Sequence, residues 1–310
     1  MPSRSEIKEH LAGETARRGR LSVPAFAGGF LYLLSGILVS AVLKGAPTVG
    51  LLQGLTPALR GEANPSVSPR AGEVKFISHH SPVLLIGSFL AAVAITVLTL
   101  VLVVLADAVR FRRAEMWALA RPLVIAGGSA VAFLSIAHQA VTAVKAHSFA
   151  TGHNFSNHAV DLALTKGTLN VGVEYLDLLA GLALAAGMIV LMMNAIRVGL
   201  LTRWMGVIGI FAGILIFLPI GGATLEVVPA FWLVAIGLLY GGRWPNGDPP
   251  AWPDGEARPW PSRAQMRAEA QGPGGRPALA TAGADVAPAP IQPESSGRSR
   301  KRRRKRGIGG

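Results

Sequence analysis

The sequence predicts an all-α fold: a polytopic transmembrane helix bundle of about six spans, followed by a disordered C-terminal tail. Hydrophobic residues make up 51% of the chain and charged residues only 15%, with a mean hydropathy of +0.44. Soluble domains carry about 25% charged residues, so the deficit points to lipid. Six apolar runs approach the roughly 20 residues that cross a hydrocarbon core of about 30 Å. Beyond residue 242 such runs cease, and Pro, Gly, Ala and cations take over.

Residues 1–23 are polar and mixed in charge, and are expected to form a cytoplasmic tail. The pair Arg17-Arg18 before an apolar run looks like a twin-arginine leader, but Gly19-Arg20-Leu21 departs from that spacing, so an uncleaved first span is expected. The transmembrane domain is expected over 24–242, with spans at 24–43, 82–106, 122–143, 175–195, 204–220 and 227–242. The last two are short, which leaves five spans or a re-entrant fifth–sixth hairpin as alternatives. Of the 30 Lys and Arg, 24 fall on one side of this topology. Cations gather in cytoplasmic segments, so both termini are expected in the cytoplasm of a bacterial plasma membrane. The absence of cysteine excludes disulfides, thiolate metal sites and cysteine nucleophiles.

The third span holds the one ionisable side chain well inside any run, His138. Such groups are costly at membrane depth and mark functional sites by default. Ser135, His138, Thr142 and Lys145 recur at helical spacing and share a face. The fourth span opens on the same side with Glu174 and Asp177, three apart on one surface. Antiparallel packing of these spans would bring Asp177 to the depth of His138 and Glu174 to Lys145. These four residues form the candidate substrate- or ion-binding site. The bland reading gives His138 a hydrogen bond to a carbonyl or to Gln139, and makes the acids helix-end charges. His79, His80, His147, His153 and His158 lie on the outer side, but their spacing matches no metal motif. No metal or other cofactor is expected.

In the fifth span, Gly206, Gly209 and Gly213 form a bare stripe that lets a helix approach closely. Packing is the expected use, with homo-oligomer formation the alternative. The ends of the second and fourth spans, Asp107-Ala-Val-Arg110 and Asn194-Ala-Ile-Arg197, each precede a basic loop and a glycine-bearing span. That pattern suggests a parallel hairpin repeat, against a null of convergence.

The segment Leu201-Thr-Arg-Trp-Met-Gly-Val-Ile-Gly209 resembles a motif in a group of uncharacterised multi-span bacterial membrane proteins. The later GGRWPNGDPPAWPDGEARPWPS is similar to the juxtamembrane tails of actinobacterial members. The resemblance covers about the last third of the chain. It implies a six-span integral membrane protein and supplies no catalytic residues.

The tail over 243–310 lacks the apolar content to fold alone. Its run from Arg298 to Arg306 has eight cations in nine residues. Contact with anionic lipid is the leading reading for it, worth about 1 kcal/mol per charge near the surface. Nucleic acid is the weaker one. No nucleophile triad, phosphate loop or acidic metal cluster is present, so the chain reads as a structural or interaction component rather than an enzyme. A small-solute, ion or proton transporter using His138, Asp177 and Glu174 is the alternative. A membrane enzyme or metal-binding protein using the outer histidines is the third reading.

Overall fold

A computed structural model describes residues 4–61, 67–113, 115–164, 167–218, 223–245 and 247–260. The helices are α1 (Arg4–Leu43), α2 (Leu51–Leu59), α3 (Ala71–Arg112), α4 (Ala120–Thr151), α5 (Asn157–Leu164), α6 (Thr168–Val198), α7 (Arg203–Phe217), α8 (Ala223–Tyr240) and α9 (Ala251–Asp254). Among the described residues there is no strand, and a single isolated bridge joins Val67 to Phe155. Four helices, α1, α3, α4 and α6, are long and apolar enough to cross a membrane, while α7 and α8 are shorter apolar helices. The basic run from Arg298 to Arg306 lies outside the described residues.

The six larger helices form a ring in chain order, each antiparallel to the next. Ser35 of α1 donates to the Gly87 carbonyl of α3 (2.8 Å), while at the other end of the pair Arg112 of α3 reaches Glu14 of α1 (3.0 Å). Asp107 at the foot of α3 meets Arg121 at the foot of α4 at 2.7 Å. Gly127 and Gly187 are the crossing points of α4 with α6, each pressed onto backbone of the other helix. The ring closes where α8 returns to α1: Ser22 donates to the Gly237 carbonyl (2.8 Å), and Gly29 lies under Ala230 and Val234. Within hydrocarbon the hydrophobic effect gives helices no drive to associate, so such glycine contacts supply the close packing that does.

The glycine stripe of α7 lies along α6, with Gly206 against Ile196, Gly209 against Met192 and Gly213 against Met188. This surface is therefore spent inside the chain. The two hairpins α3–α4 and α6–α7 run in the same direction, but Asn194 turns its amide onto the Val190 carbonyl (2.8 Å), where Asp107 makes an ion pair.

Two segments differ from the sequence expectation. Residues 4–23 are no separate tail: α1 runs unbroken from Arg4 through Pro24 to Leu43. The chain is also packed well past residue 243. Ala251 is fully buried and Trp252 is 6% exposed, with the indole N–H donating to the Leu200 carbonyl (3.1 Å). Composition marked both stretches as polar, yet Glu14, Arg18 and Asp248 are drawn into one network with Arg112. Arg18 pairs with Asp248 (2.8 Å) and lies 4.7 Å from the Trp252 ring centre, while Arg112 spans Glu14, the Ala251 carbonyl and the Trp252 carbonyl. Gly199 (φ 83°) permits this docking, because a Cβ there would strike the Arg258 backbone, whose N–H bonds the Val198 carbonyl (3.0 Å). Trp252→Ala is expected to cost about 3–5 kcal/mol by loss of a buried indole. Limited trypsin digestion of the variant should then cut after Arg243 under conditions that spare the parent chain.

On the opposite end, the extensions of α3 and α4 join α5 in a small cap. Its core is Ala71, Val74, Ala146, Phe149, Val160 and Ala163. Ser68 N–H donates to the Phe155 carbonyl (2.7 Å), tying the loop before α3 to the loop after α4.

Candidate functional site

The two halves of the ring differ in character. Towards the end bearing Arg112 and Trp252 the interior is solid: Leu102, Leu105, Met188, Leu191, Met192, Trp232 and Ile236 are all at most 1% exposed. Polar groups there are spent on carbonyls. Thr99 donates to Ile95 (2.8 Å), Tyr240 to Val101 (3.0 Å) and the Trp232 indole to Met205 (3.0 Å). A buried donor satisfied in this way has nothing left for a passing solute.

The half towards the cap is incomplete because α7 and α8 are short. Phe217, the last residue of α7, abuts Gly181. From there α6 continues to Thr168, about 20 Å further at 1.5 Å per residue. Likewise Ala230 of α8 meets Gly29 of α1, so Glu226 stands level with about Leu33, and α1 continues some 15 Å beyond. Between these extensions of α1 and α6 the described residues place no helix. In consequence α6 is exposed at Val171, Gly172, Glu174, Tyr175, Leu178 and Leu179, which share one broad face about 160° wide.

Helical spacing shows which side chains face the ring interior. On α4, Gly127 touches α6 and Gly128 touches α3. Consecutive residues are about 100° apart, and Val131, Ser135 and Thr142 fall in the arc between those contacts, with His138 at its α6 edge. Phe133 and Val144, on the opposite side, are 70% and 67% exposed, as a lipid-facing surface requires. On α6, Asp177 lies between the face that meets α4 (Ala180, Leu184) and the face that meets α7 (Gly181, Met188). His138 is exposed despite its inward position, and Asp177, half-buried, is within electrostatic reach of it. Space not filled by the described residues therefore lies beside His138.

Of the four expected site residues, His138 and Asp177 come together and the other two do not join them. Glu174 points to the flank that α7 leaves uncovered and is exposed. Lys145 turns its ammonium towards Gly167 and lines a cleft of about 450 Å³ with Phe149, Gly152 and Leu162. The register explains this: α6 begins at Thr168, so Lys145 meets the α5–α6 junction, whose backbone fills the position expected for Glu174.

Two further inward groups escape a reading by runs alone. Tyr32 of α1 falls between the face that meets α8 at Gly29 and the face that meets α3 at Ser35. Glu226 lies seven and fourteen residues before Leu233 and Tyr240, on the stripe of α8 that faces α3. Tyr32 and Glu226 are within electrostatic reach of each other, and Glu226 Oε2 is buried with no partner among the described residues. Counting back by sevens from Tyr240 is the signal that finds Glu226, which otherwise reads as a residue outside the 227–242 run.

The histidines expected on the outer side do not converge. His80 donates its Nδ1–H to the Phe76 carbonyl (3.0 Å) and stacks on that ring at 4.0 Å, with His79 beside it. Among the described residues no three His, Asp or Glu are grouped as a metal site needs. Comparison with protein-family models, with curated proteins and with solved structures yields no match to this chain.

Proposed function

We propose that the chain is a six-span protein of the bacterial plasma membrane with both termini in the cytoplasm. In this reading it is an interaction component that engages a polar or cationic ligand from the outer side, not a conduit across the bilayer. Kinship with the uncharacterised actinobacterial membrane proteins belongs to the same proposal, and rests on the Leu201–Gly209 segment and the Pro/Trp stretch after it. The orientation is supported by the cation bias, and the span count by six antiparallel apolar helices in ring order. The single observation carrying the functional reading is the exposure of inward-facing His138 beside Asp177.

A chain without cysteine allows a direct test. In intact cells the His138→Cys variant should react with a charged, membrane-impermeant thiol reagent added outside. Ala106→Cys, at a position 0% exposed, should stay unlabelled. Silence at residue 138 under outside reagent, with labelling only after the cells are opened, would overturn the reading.

A transporter is the second reading, favoured by the unpartnered carboxylate oxygen of Glu226. It requires the packed half to open. Reconstituted vesicles should leak protons and monovalent cations no faster than protein-free ones under the first reading. A flux lost in both His138→Ala and Asp177→Ala would establish the second.

A further inference from the structure

A second cleft, unrelated to His138, lies where α1 passes the end of α8. Its volume is about 420 Å³, and its walls include Arg18, Ser22 and Val23 on one side and Tyr240, Gly242 and Arg243 on the other. We propose that this cleft binds the phosphate headgroup of an anionic phospholipid of the inner leaflet.

The walls change character over a few ångströms. Residues 17–20 of α1 are Arg-Arg-Gly-Arg, and the apolar run starts at Leu21. The cleft straddles that boundary, with cations at one rim and Val23, 75% exposed, at the other. Arg18 is 7% exposed and fixed: one guanidinium nitrogen pairs with Asp248 (2.8 Å), the Trp252 ring lies 4.7 Å away, and Nε is buried without a partner. Arg243 is presented by the end of α8. The Gly242 N–H bonds the Leu239 carbonyl (3.1 Å) and the Arg243 N–H bonds the Leu238 carbonyl (3.0 Å), a Schellman stop in which Gly242 takes φ 65°. That reversal leaves the Arg243 side chain exposed at the mouth of the cleft.

A free anion would need only the cations. The apolar rim argues for a lipid, because it leads into a surface on which acyl chains can lie. Val23, Phe26 and Phe30 follow one another at helical spacing down α1, the two rings 5.1 Å apart, and are 75%, 41% and 54% exposed. A phosphodiester held by arginines at the mouth places its chains along that strip, which matches the layering of a leaflet.

The test uses the full chain in a neutral detergent, measuring binding of phosphatidylglycerol, phosphatidylcholine and inorganic phosphate by native mass spectrometry and by shift of the melting point. Phosphatidylglycerol should bind and stabilise, with phosphatidylcholine and inorganic phosphate doing neither. Arg243→Ala, at an exposed position outside the packed network, should weaken phosphatidylglycerol by about fivefold, the value of one cation at a membrane surface. Val23→Trp should obstruct the cleft and weaken it likewise, with no change in the melting point of the lipid-free chain. The cations from Arg298 to Arg306 are present in every variant and set a constant background. Equal binding of both lipids, indifference to both substitutions, or stabilisation by inorganic phosphate alone would each overturn the proposal.

Discussion

Arg112→Ala should destabilise the protein by about 3–5 kcal/mol, the range for removing one partner of a buried ion pair. The Arg112 side chain is 0% exposed and Glu14 7%. Arg112 Nε donates to the Ala251 carbonyl (2.8 Å), one terminal nitrogen donates to Glu14 Oε2 (3.0 Å) and the Ala108 carbonyl (2.9 Å), and the other reaches the Trp252 carbonyl (3.3 Å). Truncation leaves a buried carboxylate and several carbonyls with nothing to bind. Thermal unfolding in detergent, followed by loss of the monodisperse peak on size exclusion, reads the effect. Pairing Glu14→Gln with Arg112→Met should recover much of the loss, since the larger part of it is the stranded charge. A double variant no better than Arg112→Ala would instead assign the cost to packing around Trp252.

Gly127→Leu should have a comparable effect for a different reason. A Cβ on Gly127 meets the Leu184 amide nitrogen and lies 2.9 Å from the Ala180 carbonyl oxygen, both backbone atoms. Side chains can swing aside from an added group, whereas a helix axis must move as a unit. Overpacking in adaptable cores costs about 1–3 kcal/mol, and the upper end or more is expected here. Gly181→Ala, on α6 where it meets Phe217 of α7, is the control, because its nearest neighbour lies 3.5 Å away and the substitution should be near neutral. A melting point for Gly127→Leu equal to that of Gly181→Ala would show that the α4–α6 crossing is looser than described.

What could be read from the sequence was what is encoded locally. Apolar run length locates α1, α3, α4 and α6, and the brevity of the last two runs foreshadows helices of 15 and 18 residues. The approach of Asp177 to His138 needs only a residue count along two antiparallel helices. Helix ends were less legible: α3 begins at Ala71 and α4 continues to Thr151, because each gains a partner in the cap instead of stopping at the lipid boundary. The Arg18–Asp248 pair was invisible, its members being 230 residues apart in sequence. Pro, Trp and charge between 243 and 260 suggest an unfolded tail until Glu14, Arg18 and Arg112 are known to receive them. Glu226 was hidden by a boundary drawn one residue too late.

The return of α8 to α1 has a consequence for how the chain is made. Ser22 waits for the Gly237 carbonyl, 215 residues downstream, and Gly29 waits for Ala230. As helices enter the bilayer in order, α1 can dock on α3 early, but its other flank finds its partner only when synthesis is nearly complete. Until then that flank offers a bare backbone face to lipid or to another nascent chain. Membrane biogenesis of this protein is therefore a race between ring closure and mispairing. Ribosome-stalled chains ending before α8 should associate with insertion factors far longer than chains released beyond Trp260.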